Sequence, residues 1–229
     1  GLVYGVNLAG SAIGCLAFAF ALAPLGGPGS VLLASACAAA GGAAFAGGVL
    51  RVLGGVCAIG LAALIPMSGK VLPLDAAPGK PMAQSIALAR AEGRDARIET
   101  TRWDPLCRID VVNYGDDAAP KRIFQDGDAP TELLPANTAF DRLHFYSLPY
   151  FVQKAGRAAR GVTAPPRVLA IGIGGGMDLL HAHWNGAKRV TGVEINGTTD
   201  SLMRNEYAAF SGRVYTMGGV EMVVGEGRS

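Results

Sequence analysis

The chain has 229 residues, 50% of them hydrophobic, with 20 Lys and Arg against 18 Asp and Glu and a net charge of +2. So even a balance, without a basic stripe interleaved with aromatics, gives no argument for a nucleic-acid partner. The length admits one or two domains, and four cysteines without a CxxC pair give no disulfide framework.

The charge is unevenly spread. Residues 1–50 carry no Asp, Glu, Lys or Arg, and Arg51 and Lys70 are the only charges before Asp75. The apolar part divides at Gly26-Gly-Pro-Gly29, a turn signal. Leu2–Leu25 and Val31–Leu50 each approach the roughly 20 residues that span a bilayer. Val52–Met67 is shorter and suffices if Arg51 or Lys70 snorkels. There is no basic region ahead of the first run, and two more runs follow it, which argues against a signal peptide. Burial inside a soluble core is disfavoured because so long an uncharged stretch is hard to cover in a domain this small. Three membrane helices are therefore predicted over 1–67. Small residues in GVNLAGSAIG (Gly5–Gly14) suit close helix packing, with Asn7 bonding across helices. Lys70, Lys80, Arg90, Arg94 and Arg97 outweigh Arg51 and place the soluble part in the cytoplasm. Cys15, Cys37 and Cys57 fall in the apolar runs and Cys107 stands alone, so all four read as small buried residues.

Residues 68–95 read as a linker with one short helix, Pro81–Gly93. Three strands follow at Ala96–Trp103, Arg108–Tyr114 and Arg122–Gly127, separated by turn signals at Asp104-Pro and Gly115-Asp-Asp. They predict a small antiparallel β unit over 96–140. Asp126 and Asp128 could attract a cationic amine or form a solvated turn. A helix is predicted over Leu143–Ala159, then a linker at Thr163–Pro166. His181 and His183 stand two apart on a predicted helix and diverge, and His144 has no partner in sequence, so no metal site is expected.

The most informative stretch is RVLAIGIGGGMDLL (Arg167–Leu180), followed by RVTGVEIN (Arg189–Asn196). It reads as strand, glycine loop, helix and a second strand ending in an acid, the opening of a Rossmann-type sheet. The glycines at Gly172, Gly174 and Gly176 are spaced GxGxG, and Met177 occupies the third place of the dinucleotide GxGxxG pattern. This spacing suits S-adenosylmethionine or a relative, which has no pyrophosphate. Gly172 and Gly174 allow backbone angles and a close ligand approach that a Cβ would prevent. Glu194 is placed to accept bonds from the ribose hydroxyls, about 20 residues beyond the loop as such an acid requires. A third strand, Val220–Val224, leads to Glu226, which can receive the adenine amino group. Asp178 touches the methionine part of the ligand or favours the helix N-terminus. Only three strands precede Ser229, whereas such a sheet usually has more and needs both faces covered. The expectation is a truncated domain over 141–229 within a longer protein, its catalytic loop beyond the chain end.

The order of parts resembles the membrane-fused spermidine synthase-like proteins. The resemblance rests on YGVNLAGSAIG (Tyr4–Gly14), WDPLCRIDVVNY (Trp103–Tyr114), FQDGDAPTEL (Phe124–Leu133), SLPY (Ser147–Tyr150), VLAIGIGGGMD, VTGVEIN and VVGEGRS (Val223–Ser229). It implies an aminopropyltransferase or methyltransferase fold that takes S-adenosylmethionine or its decarboxylated form. Gly172, Gly174 and Gly176 would make the cosubstrate loop, Glu194 would hold the ribose and Glu226 would lie near adenine. Spermidine synthases carry a glutamine and a Tyr-His-Glu run after their Asp-Gly turn. Here Asp126-Gly127 is followed by DAPTELLPA, which departs from the polyamine-site pattern.

The fold class expected is α/β: transmembrane helices, a small antiparallel β unit, then a truncated parallel Rossmann-type sheet. The function expected is a membrane-tethered transferase moving an aminopropyl or methyl group to a nucleophilic acceptor. Its partners would be a small amine, membrane lipid and further copies of the chain. A non-catalytic membrane binding or transport protein with a nucleoside-sensing domain is the alternative. An NAD-linked oxidoreductase is the third reading, disfavoured by Met177.

Overall fold

The structure is a computed structural model and describes residues 1–138 and 147–228. The chain divides into two compact units, residues 1–77 with 102–108, and residues 78–101 with 109–229.

In the first unit, helix α1 (Leu2–Phe45) breaks at Gly26, whose φ of 67° and ψ of 177° are open to glycine alone. Pro24 and Pro28 flank the break and withhold backbone donors from it. Helix α2 (Gly48–Leu64) follows a two-residue turn, then a 3-10 turn (Ile65–Met67) and the short α3 (Ser68–Val71). α2 runs back along the second half of α1. A Cβ on Gly54 would lie 2.9 Å from Ala43 Cβ, and one on Gly29 would lie 3.3 Å from Ser68 Oγ. Small residues thus set the close helix approach, as small-xxx-small pairs do between apolar helices. The stripe expected to do so, Gly5–Gly14, meets nothing: no neighbouring atom lies within 4 Å of a Cβ on Gly5, Gly10 or Gly14. Asn7, expected to bond across helices, is exposed. Trp103 covers Gly26 and Gly27 in this unit, and a Cβ on Gly27 would lie 2.7 Å from its ring. The guanidinium of Arg108 stacks on the Trp103 ring at 5.6 Å.

Among the described residues, two helices are long and apolar enough to cross a membrane, Leu2–Phe45 and Gly48–Val71. Where three spans were expected, the structure has one long helix divided at Gly26 and one helix continuing past Arg51. The second division falls at Ala46–Gly47, not at the charge, because Gly47 and Gly48 end the helical backbone there. Arg51 sits in the first turn of α2 and donates to the carbonyl of Ala46 at 3.0 Å. Cys15, Cys37 and Cys57 are exposed and Cys107 is half-buried, contrary to expectation. Two slender helices have too little interior to bury them.

In the second unit, α4 (Pro81–Ala91) begins with proline where the helix needs no donor. An antiparallel sheet follows, with β1 (Ala96–Trp103), β2 (Arg108–Tyr114), β3 (Lys121–Gln125) and β4 (Asp128–Leu133) in sequential order. β4 was not expected, because Pro130 breaks a strand pattern. It lies at the sheet edge, where proline is tolerated. Asp126 and Gly127, with φ of 52° and 72°, make the two-residue turn that pairs Gln125 with Asp128. Asp126 is exposed in this turn, and Asp128 opens β4 and pairs with Lys80 at 3.4 Å. Ile109, Val111, Ile123, Phe124 and Leu133 form the core, with Met82 and Ala89 of α4.

Helix α5 (Leu148–Ala159) follows; the expected start at Leu143, and His144, lie outside the described residues. Strands β5 (Arg167–Ile171), β6 (Arg189–Glu194) and β7 (Val220–Val224) form a parallel sheet in sequential order. Helices α6 (Met177–Trp184) and α7 (Gly197–Arg204) make the crossovers. The molecule is therefore mixed α/β, with one antiparallel and one parallel sheet. Lys121 ties the antiparallel sheet to the segment that follows α7. It pairs with Glu99, and its ammonium lies 5.1 Å from the Phe210 ring and 5.8 Å from that of Tyr207, beyond α7.

Candidate functional site

The parallel register aligns the C-terminal ends of three strands. Ile171 pairs with Val193, and Glu194 with Val224. Two backbone bonds extend this alignment past the strands: Gly172 N–H to the Val193 carbonyl at 2.8 Å, and Gly225 N–H to that of Glu194 at 2.9 Å. Gly172, Glu194 and Gly225 thus sit side by side at the edge where open α/β sheets take their ligands.

The glycine loop is held from several sides. Gly172, Gly174 and Gly176 have φ of 77°, 51° and 86°. Glu194, 2% exposed at the end of β6, accepts from the Gly174 N–H through Oε2 at 2.9 Å. Its Oε1 accepts from the Asn196 N–H at 2.8 Å. The Tyr215 hydroxyl donates to the Gly174 carbonyl at 2.7 Å. Burial raises the Tyr215 pKa far above its usual value, with the charges of Glu194 and Asp200 adding to the rise, so it remains a donor at any physiological pH. Thr131 Oγ1 accepts from the Gly175 N–H at 3.1 Å.

The glycines are required for different reasons. A Cβ on Gly174 would lie 2.7 Å from Thr131 Cγ2, one on Gly175 1.9 Å from the Glu132 carbonyl, and one on Gly176 2.6 Å from Val214 Cγ1. Those three let the loop pack against β4 and the segment ahead of β7. Gly172 alone of the loop glycines faces open space, with nothing within 4 Å of its Cβ. Gly174 has the positive φ expected of it, and Thr131 fills the side a Cβ would take. The sequence reading missed Thr131, Glu132 and Tyr215. The adjacent Gly175 was the one local signal that the loop packs tightly.

The remaining expected residues lie nearby in the chain. Asp178 is exposed in the first turn of α6. Glu226 follows β7, is exposed, and pairs with Arg228. His181 and His183 diverge as expected, one buried and one exposed. His181 Nδ1 lies 3.3 Å from Ser147 Oγ, and Asn185 Nδ2 donates to the same hydroxyl at 3.1 Å. The Trp184 ring meets the His181 ring edge-on at 5.4 Å. This cluster anchors the start of α5 to α6.

Burial lowers the His181 pKa, opposed by the Asp178 charge. A base whose folded pKa is depressed binds fewer protons than in the unfolded chain over the window below about 6.5, so folding loses stability as pH falls through that window. His181→Gln is expected to flatten the decline in thermal midpoint between about pH 7 and 5 relative to wild type. Identical pH profiles for the two proteins would show that His181 does not contribute.

No protein-family model matches the chain, and no curated protein matches it. Among solved structures it is similar to a spermidine synthase in complex with the transition-state analogue AdoDATO, with a TM-score of 0.40 and 19% identity over 57% of this chain and 41% of that one. It is also similar to the spermidine synthase from Thermotoga maritima, with a TM-score of 0.41 and 18% identity over 57% of this chain and 42% of that one. The chain thus spans about two fifths of the length of the solved structures it matches.

Proposed function

We propose that the chain is the cosubstrate-binding part of a membrane-tethered transferase using S-adenosylmethionine or decarboxylated S-adenosylmethionine. The observation that carries this reading is Gly172, exposed at the end of β5 and open to solvent beside a loop that Glu194 fixes. Glu194 fits the ribose hydroxyls with the lone pairs its two backbone bonds leave over. Glu226 fits the adenine amino group after β7, and Asp178 fits the methionine end. Met177 stands where the dinucleotide pattern has its third glycine, the one that lets helix and strand pack closely.

The sulfonium donor is already activated, so the chemistry asks little of the protein. An acceptor nitrogen attacks the carbon beside sulfur, the C–S bond breaks, and its electron pair neutralises the sulfur. The acceptor proton passes to a carboxylate, and in-line positioning supplies most of the rate. The tether reading is supported by the two long apolar helices, whose side chains are exposed as fully as Leu2 at 85% and Phe45 at 95%. The basic cluster beyond them favours a cytoplasmic site.

Titration calorimetry on the full chain in detergent tests the cosubstrate. S-adenosylmethionine or its decarboxylated form is expected to bind, and NAD is not. Binding of NAD alone would overturn the reading. A sulfonium donor that binds and yields no product with any amine would favour a non-catalytic binding protein instead.

A further inference from the structure

Helix α5 is turned the opposite way from a helix docked on a soluble core. At about 100° per residue, Leu148, Phe151, Val152, Ala155 and Ala159 share one face. Leu148, Phe151 and Val152 are 58%, 50% and 67% exposed. The groove beneath the helix is lined by Tyr150, Gln153, Lys154 and Arg157 of α5 and by Trp184, with Phe151 at its edge, while Leu148, Val152 and Ala155 stay outside it. The charge is as one-sided as the apolar stripe: from Ser147 to Met177 the chain has Lys154, Arg157, Arg160 and Arg167 and no carboxylate. Lys154 and Arg160 fall on opposite flanks of the apolar face, where long cationic stems can reach past it.

An apolar face containing Phe and Leu, flanked by cations, is the composition of a helix lying in the plane of a membrane interface. Another protein could also cover the stripe, but it would have to supply acids around an apolar centre. An anionic bilayer offers both at once, and two helices of this chain have the length and apolarity to reach a bilayer. We propose that α5 docks on an anionic lipid surface, burying Leu148, Phe151 and Val152 while Lys154 and Arg160 meet the headgroups. This rests in part on the tether reading above. Docking would hold the approach to the glycine loop at the membrane surface, and so favour an acceptor presented there.

The test uses the full chain with its cysteines replaced, reconstituted in vesicles of phosphatidylcholine alone or with phosphatidylserine. A polarity-sensitive fluorophore is placed on Val152→Cys, with Gln153→Cys as the groove-side control. Lipid-borne nitroxide is expected to quench the Val152 probe at least about threefold more in the anionic vesicles, and the Gln153 probe in neither. High salt or the double variant K154E/R160E should abolish the difference, each cation contributing roughly fivefold to docking. A Val152 probe open to aqueous quencher in both vesicles overturns the proposal. So does shielding that ignores lipid charge or grows with protein density, which would assign the face to a second copy. Retention on vesicles in alkaline carbonate reads the tether separately. Its loss sinks the tether alone, because the probe reports α5 however the chain is held.

Discussion

Glu194→Ala is expected to be the most damaging single side-chain truncation in the parallel-sheet region, costing about 2–5 kcal/mol of stability. The carboxylate is buried, and each oxygen serves one backbone donor, from Gly174 and from Asn196. Alanine strands both donors, and a buried unsatisfied N–H costs about 1–3 kcal/mol. Glu194→Gln keeps one acceptor but turns an amide NH2 toward the other donor, so an intermediate loss is expected. Hydrogen exchange gives the local readout: the amides of Gly174 and Asn196 should lose protection together. Donor affinity, measured separately in the Gln variant, should fall by about 1–3 kcal/mol if the ribose bonds also form. Unchanged exchange would mean the acid does not shape the loop, and unchanged affinity would remove it from the site.

Gly175→Ala and Gly172→Ala should fail in opposite ways. At Gly175 the new methyl would sit 1.9 Å from the Glu132 carbonyl oxygen. Relief requires moving the β4 backbone against the loop, which places the cost at or above the usual 1–3 kcal/mol of overpacking, about 3 kcal/mol or more. The variant should melt early or fail to accumulate. At Gly172 the methyl meets nothing, and only the φ of 77° is strained, at about 1–2 kcal/mol. That variant should fold and lose donor binding, since its methyl projects into the space a ligand would take. Near-normal stability in Gly175→Ala would refute the packing described. Full donor affinity in Gly172→Ala would refute the assignment of the open side.

The same pair marks where sequence reading stops. GxGxG between two strands announces a loop with positive φ, and the three glycines adopt it. Pattern alone cannot separate a glycine kept for a ligand from one kept for a neighbouring backbone. The neighbour is β4, 44 residues away at the Thr131–Gly175 bond, and Pro130 masked that strand. Its Asp126-Gly127 turn was the available signal: a two-residue Asp-Gly loop implies a strand on each side. Glu194 was legible as the acid ending β6, but its engagement with the loop was not, because the Gly174 N–H reaches it only after the crossover folds back. Tyr215 left no sequence signal at all; an isolated tyrosine becomes a buried donor only through the packing around it.

Local chemistry was enough for elements set by neighbours in sequence. Gly26 between two prolines broke α1 where the turn signal stood, and Val220–Val224 became the third parallel strand. Uncharged composition made the first helices apolar on every side, a property that needs no partner to define it. Tertiary structure decided what depends on distant groups meeting: which glycines face protein and which face solvent, and which helix face is left uncovered. It placed the close helix contact at Gly29 and Gly54 instead of Gly5–Gly14, and turned the apolar stripe of α5 outward. Periodicity fixes which residues share a face. Only packing fixes what that face meets.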